Sequence, residues 1–275
     1  MRISRPDGPH SGPEGKSRDL IGALLAMMAA NSFEPRLWGH RGASAVHPEN
    51  TLAAFTRAIA DGATALETDV HRTRDGQWVV FHDPDGVRLT GNAGRIAHLT
   101  FDEVRSWRIP DPRDPSVVHR VPTLEEVLDA YPGITISVDI KPRSHQVVSS
   151  ILDLLIARPD RHRVILCSFH DRHVDRLRRA GWDGPTALTR LEIAMLLAFP
   201  RLPWPERFRG RSAQIPRRSG PFPLDTRRFI DRCHRVGVRV DFWVVNRPED
   251  GRALLARGAD GLISDDPGRL AHLFG

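Results

Sequence analysis

Eight strand-length apolar runs begin near residues 36, 64, 134, 163, 186, 212, 238 and 261, and most of the gaps between them carry helical periodicity. A crossover between parallel strands takes a dozen or more residues, so helices in those gaps make successive strands run the same way. Eight such units predict an α/β chain folded as a (β/α)8 TIM barrel, with its chemistry at the C-terminal ends of the strands. A doubly wound open sheet is the alternative, but no Gly-x-Gly-x-x-Gly follows the first strand. The 275 residues are enough to bury one full core.

The ends of the chain and its charge set further bounds. Residues 1–17 read as a disordered segment, and residues 18–275 as a single catalytic domain that begins with a short helix over Ile21–Ala30. That run is too short to span a bilayer and lacks a compact basic leader, so a cytoplasmic protein is expected. Two cysteines, Cys167 and Cys233, make neither a disulfide framework nor a metal-ligand spacing, and Cys167 reads as core. The net charge is +6, and all but two of the 40 basic residues are arginine. This balance suits anionic small molecules and transient contact with a lipid surface, and it does not by itself imply nucleic acid. The exception inside the domain, Lys141, marks a place where an ammonium is wanted instead of a guanidinium.

Polar chemistry is concentrated between Leu37 and Asp83, where His40, Glu67, Asp69 and His82 stand at the ends of apolar runs. Pro48-Glu-Asn-Thr is expected to open a helix carrying Leu52, Phe55 and Ile59 on one side, with Gly62 ending it. Too few residues separate Val70 from Trp78 for a crossover, and Asp75-Gly76 is a hairpin turn, so a β-hairpin arm should extend the second strand. With Asp75 and Gly76 as the two turn residues, Arg74 pairs with Gln77 and Asp69 faces His82. Glu67 and Asp69 share a face because they are two apart, and Asp139 ends a later strand. Three crowded carboxylates repel unless a cation or proton intervenes, and oxygen-only ligation suits Mg²⁺ or Ca²⁺. His40 and His82 fit an acid/base pair, while Arg41 and Lys141 supply positive charge for an anion. With no Ser or Cys nucleophile in evidence, this set points to phosphoester chemistry.

At these residues the chain resembles the glycerophosphodiester phosphodiesterase family. The resemblance is carried by His40-Arg-Gly, Pro48-Glu-Asn-Thr, Glu67-Thr-Asp-Val, Asp75-Gly and Val80-Phe-His-Asp. It continues through Pro122-Thr-Leu-Glu-Glu-Val-Leu, Asp139-Ile-Lys, Ser168-Phe, Trp243-Val-Val-Asn and Gly261-Leu-Ile-Ser-Asp, covering about residues 36 to 272. It implies metal-dependent hydrolysis of glycerophosphodiesters to glycerol 3-phosphate and an alcohol. It further implies Glu67, Asp69 and Asp139 as metal ligands and His40 and His82 as acid and base. Arg41 and Lys141 would contact phosphate, Trp243 would face the substrate, and Glu49 would support the site. The third ligand is usually Glu in this family, so Asp139 is one methylene short. The implied partner is a small-molecule glycerophosphodiester, with no obligate protein partner and no nucleic acid.

Three other readings use the same residues. A phospholipase D-like enzyme acting on lysophospholipids or sphingomyelin shares the His–carboxylate–His core. A silent phosphodiester-binding barrel would have no need of both histidines. Proton abstraction from a carbon acid by Lys141 would leave His82 without a task. Outside this set, His170 and His173 read as solvated, Trp107 and Trp182 as packing residues, and Arg201–Arg228 as an exposed basic loop in which Trp204 and Phe208 are the residues that would favour lipid contact.

Overall fold

The computed structural model describes residues 33–144, 146–199 and 210–275. The expected disordered 1–17 segment, the helix over Ile21–Ala30, Trp204 and Phe208 lie outside these residues. From Pro35 to Gly275 the chain forms one compact unit. Its strands are β1 (Arg36–His40), β2 (Ala65–Arg72), β3 (Trp78–Val80), β4 (Asp85–Gly86), β5 (Asn92–Arg95), β6 (Ile109–Pro110) and β7 (Val118–His119). They continue with β8 (Thr135–Ile140), β9 (Val164–Cys167), β10 (Ser212–Ile215), β11 (Arg218–Ser219), β12 (Phe222–Pro223), β13 (Arg239–Phe242) and β14 (Gly261–Ser264).

Seven of these run parallel in the order β10-β13-β14-β1-β2-β8-β9. The ring closes through two isolated parallel bridges, Leu166 to Thr186 and Ala187 to Ser212. The run expected near residue 186 is therefore the eighth stave, reduced to a pair of bridges, and the chain is a TIM barrel. Period-two alternation sorts each strand into two faces. Leu66, Val70, Ile136, Val138, Ile140, Val164 and Leu166 join the cluster under the surrounding helices, whereas Trp38, Ala65, Ile165 and Ile263 meet inside the ring.

Five of the described helices start on threonine hydroxyl caps. Thr123 with Glu126, Thr100 with Glu103 and Thr189 with Glu192 form capping boxes. The helix after β1 differs from expectation. It spans Leu52–Ala60 and is capped by Thr51, whose hydroxyl accepts from the Ala54 N–H at 3.2 Å, so Pro48 lies in the preceding loop and not in the first turn. Its buried face is Ala54, Phe55 and Ala58, and Leu52 is exposed.

The hairpin arm forms, but its register is one residue away from the expected one. Val70 pairs with Val80, His71 with Val79 and Arg72 with Trp78, which places Asp69 against Phe81 and not His82. The loop has three residues, not two. Gly76 adopts φ +99° and donates its N–H to Thr73 O, while the Thr73 hydroxyl donates to Asp75 Oδ1 at 2.6 Å and accepts from the Gln77 N–H at 2.9 Å. The threonine side chain closes the longer loop and shifts the ladder.

Residues 84–122 form an ordered insertion after the hairpin arm. The pairs β4–β5 and β6–β7 and the helix Phe101–Arg105 cover a satellite core of Val79, Phe81, Ile96, Val104, Trp107, Ile109 and Val121. Trp107 and Trp182 are packed as expected. His173 is not solvated: it is buried at 1 % exposure, with its ring edge-on to His170. Near the start of the strands the barrel is plugged by a polar group absent from the sequence reading. Fully buried Asp241 accepts from Trp38 Nε1 at 3.0 Å, Ser212 Oγ at 3.0 Å and Arg239 Nη2 at 2.7 Å.

Candidate active site

At the other end of the same strands, β1, β2 and β8 present polar side chains inward. Their register sets His40 beside Glu67 and Asp69 beside Asp139. These four, with Arg41, His82, Lys141 and Trp243, line one cavity of about 860 Å³. His82 reaches it although the ladder does not pair it with Asp69: the strand has ended at Val80, and the His82 carbonyl accepts from His71 Nε2 at 3.0 Å.

Each histidine is oriented through Nδ1 by a carboxylate. His40 Nδ1 lies 2.6 Å from Asp265 Oδ1, and His82 Nδ1 lies 2.7 Å from Asp83 Oδ1. Asp265 is itself fixed by Ser44 Oγ at 3.1 Å and Asn246 Nδ2 at 2.8 Å. Burial alone would lower the His40 pKa, but the Asp265 hydrogen bond and the Glu67 charge outweigh it and hold the imidazole above its ordinary value. Burial pushes the other way on Asp265, yet the hydrogen bonds from His40 and Asn246 bring it down to about 2.

The carboxylates are held by two cations and one amide. Lys141 Nζ bridges Asp69 Oδ1 at 2.8 Å and Asp139 Oδ2 at 2.6 Å. Asn50 Nδ2 donates to Asp69 Oδ2 at 3.0 Å, and Asn50 is positioned by the Thr68 hydroxyl. Arg41 adopts φ +56°, a left-handed conformation that turns its guanidinium back over the strand ends. Its Nη1 donates to Glu49 Oε1 at 3.0 Å. Its Nε lies 3.1 Å from Asp69 Oδ2, close enough for an ion pair but not aligned as a hydrogen bond. Glu49 is gripped from the other side by Arg88 Nη1 and Nη2 at 2.8 and 2.6 Å, and Arg88 Nε also holds Asp83 at 2.7 Å. Arg88 thereby links the supporting residue of Arg41 to the orienting residue of His82.

Two observations bear on whether a cation fits among the carboxylates. Burial, followed by the neighbouring Asp69 charge, pushes Glu67 up to about 8, so the three groups do not tolerate full ionisation unaided. Asp139 Oδ1 is buried and accepts no hydrogen bond. An under-neutralised all-oxygen cluster with an orphaned acceptor matches the donor set of a hard divalent ion. The shortened Asp139 still lies level with Asp69 and shares Lys141 with it.

On the far side the cavity is apolar. Leu188, Ile193, Leu197, Ile215 and Leu224 line it beside Phe169, whose ring meets Trp243 edge-on at 6.2 Å. Trp243 Nε1 donates to the Gln214 carbonyl at 2.9 Å, fixing the indole at the rim. Cys167 is only half-buried and also faces the cavity, where burial pushes its thiol up.

The model of the glycerophosphoryl diester phosphodiesterase family matches residues 40–269. The chain belongs to that family. It is therefore an enzyme, a phosphoric diester hydrolase built on a TIM barrel. A glycerophosphodiester phosphodiesterase of Caldanaerobacter subterraneus is 30 % identical over 242 residues, 85 % of this chain and 95 % of the relative. Lysophospholipase D GDPD1 of Rattus norvegicus is 26 % identical over 286 residues, 92 % of this chain and 90 % of the relative. A solved structure of an Oleispira antarctica phosphodiesterase in complex with the product sn-glycerol 3-phosphate superimposes with a TM-score of 0.70 at 21 % identity, covering 87 % of this chain and 96 % of that one.

Every site residue named from the family motif lines the cavity or touches a residue that does. Asp265, Asp83, Arg88 and Asn50 have no role legible in the sequence alone. The runs Gly261-Leu-Ile-Ser-Asp and Val80-Phe-His-Asp and the motif Pro48-Glu-Asn-Thr contained three of them, and Arg88 carried no signal.

Proposed function

We propose that this family member hydrolyses glycerophosphodiesters to glycerol 3-phosphate and an alcohol, with His40 and His82 as the acid–base pair. The observation that carries the reading is the matched pair of carboxylate-oriented imidazoles beside three strand-end carboxylates. Holding Nδ1 on Asp265 and Asp83 leaves Nε2 of each ring for the substrate. One histidine takes the proton of the nucleophile, either water or the glycerol 2-hydroxyl. As the new P–O bond forms and the bond to the alcohol breaks, the other histidine protonates the leaving oxygen. By the 2-hydroxyl route, water then opens the cyclic phosphate with the histidine roles reversed.

Glu67, Asp69 and Asp139 would hold Mg²⁺ or Ca²⁺, which when bound supplies positive charge against the phosphate oxygens. Arg41 and Lys141 border the same space and add charge toward an anion. Glu49 keeps the Arg41 guanidinium in place, and Trp243 faces the remainder of the substrate. Replacing His40 or His82 with Ala should cut turnover by about 10²–10⁴-fold while substrate still binds. Near-normal turnover in either variant contradicts the assignment.

The apolar wall supports a second reading of the substrate. A cavity of about 860 Å³ lined by Leu188, Ile193, Leu197, Ile215 and Phe169 is larger and greasier than a small polar headgroup needs. It suits a chain-bearing diester such as a lysophospholipid, and one relative is named as a lysophospholipase D. Comparing kcat/KM for glycerophosphocholine and a lysophosphatidylcholine decides between them. Faster turnover of the lysolipid, reduced by Leu197→Lys, identifies the wall as an acyl site. Equal losses for both substrates in that variant would leave the first reading alone.

A further inference from the structure

We propose that His47, Asp111 and His119 form a second metal site that selects a borderline transition ion such as Zn²⁺ and clamps the 84–122 insertion to the active-site loop. His47 Nδ1 lies 2.7 Å from Asp111 Oδ2, and His119 Nε2 lies 2.9 Å from the same oxygen. The three ligand atoms all fall within 4.8 Å of one another. None of the three residues lines the catalytic cavity.

The ligands come from three places that only the fold brings together. His47 is in the loop that carries Arg41, and its N–H is fixed on the Ala43 carbonyl at 3.0 Å. Asp111 follows β6, and His119 ends β7, so the antiparallel pair brings these two side by side. The aspartate is buried and pre-oriented. Its Oδ1 accepts the Arg113 N–H at 2.9 Å, and its own N–H is held by the Val117 carbonyl, which leaves Oδ2 for the imidazoles. A ligand fixed through its second oxygen is the arrangement that supports metal binding. The rings stand nearly edge-on, 79° apart, so their nitrogens converge on one point and do not stack.

Donor chemistry separates this site from the carboxylate cluster. Two imidazoles and one carboxylate favour Zn²⁺, Co²⁺ or Ni²⁺, whereas oxygen-only ligands favour Mg²⁺ or Ca²⁺. Three protein ligands leave a fourth tetrahedral position for water. Ligand bonds of about 2.0–2.1 Å at tetrahedral angles place ligand atoms about 3.3 Å apart, so binding requires each ring to withdraw by about half an ångström. Without a metal, the same contacts are two hydrogen bonds to one oxygen. The two states differ in what they bind, and that difference can be measured.

The test uses the full-length chain, stripped with EDTA, desalted and supplied with excess Mg²⁺, then titrated with Co²⁺ and followed by visible absorption. The expected result is one equivalent of Co²⁺ with the intense bands of a nitrogen-ligated four- or five-coordinate ion, displaced by Zn²⁺. H119A and D111N should each lose the bands and weaken Zn²⁺ binding at least about 100-fold, whereas D139N should keep both. H47A removes a ligand from a different segment and should behave as H119A does, with circular dichroism confirming that each variant is folded. A wild-type chain that shows no such bands and no Zn²⁺ binding by calorimetry overturns the proposal whatever the variants do. Bands that survive in both H119A and H47A also overturn it.

Discussion

Asp265 illustrates how much of this site rests on single contacts between residues far apart in the chain. It stands 225 residues from His40 in sequence and 2.6 Å from it in space. The family motif pointed to His40, Glu67, Asp69, His82, Asp139 and Lys141 as candidates, because strand-end position and residue type are local properties. The residues that orient them were not legible in the same way, since a partner for Nδ1 depends on how β1 and β14 are placed side by side. Asp265 ordinarily titrates at 3.8 and is held at about 2 here, so its contribution to stability is present above the ordinary value and fades as the pH falls toward 2. His40 is raised above 6.5, so its share is present below that value and fades as the pH rises through the folded pKa. The pair therefore stabilises the fold most between about pH 4 and 6.5. Melting curves of wild type and D265N should differ most in that window and converge below it. A constant difference across pH 2 to 9 would show that the charge pair contributes nothing.

At the scale of elements, the turn after β2 shows where local reading stops. Asp75-Gly76 suits both two- and three-residue loops, and the Thr73 hydroxyl decides between them. One residue of slip moved His82 off the ladder, yet it reached the cavity because β3 ends two residues earlier. The loop from Arg41 to Thr51 is constrained more strongly. Gly42 has φ +87°, and a Cβ there would lie 2.5 Å from the Ala54 backbone carbon, inside the first turn of the helix Leu52–Ala60. Gly42→Ala must therefore displace either that helix or Arg41. The expected cost is about 1–3 kcal/mol of stability, with a larger proportional loss of turnover because Arg41 moves with its neighbour. Unchanged melting temperature and turnover in G42A would show that the loop can give way.

For the whole molecule, eight alternating runs were enough to predict a barrel, since crossover length and strand direction follow from spacing. The run near 186 closes the ring with only two bridges, at Thr186 and Ala187. The plug of Asp241, Arg239, Trp38 and Ser212 was invisible in sequence because charged residues inside a strand read as surface. Removing the carboxylate in D241A takes away the Asp241 partner of the buried Arg239 guanidinium and should cost about 3–5 kcal/mol, seen as a large drop in the urea midpoint. A shift of a few tenths would show that Arg239 finds other acceptors. The plug and the reactive groups occupy opposite ends of the same strands, so D241A should impair stability more than the kcat of the folded fraction.

The claim that three carboxylates and two histidines form a metal-assisted diesterase is tested most directly by the release of glycerol 3-phosphate from a panel of glycerophosphodiesters. After EDTA treatment, release should stop and return on adding Mg²⁺ or Ca²⁺, and D139N should need more metal for the same rate. Release that is unchanged in EDTA, or no release from any headgroup with either ion, would contradict it.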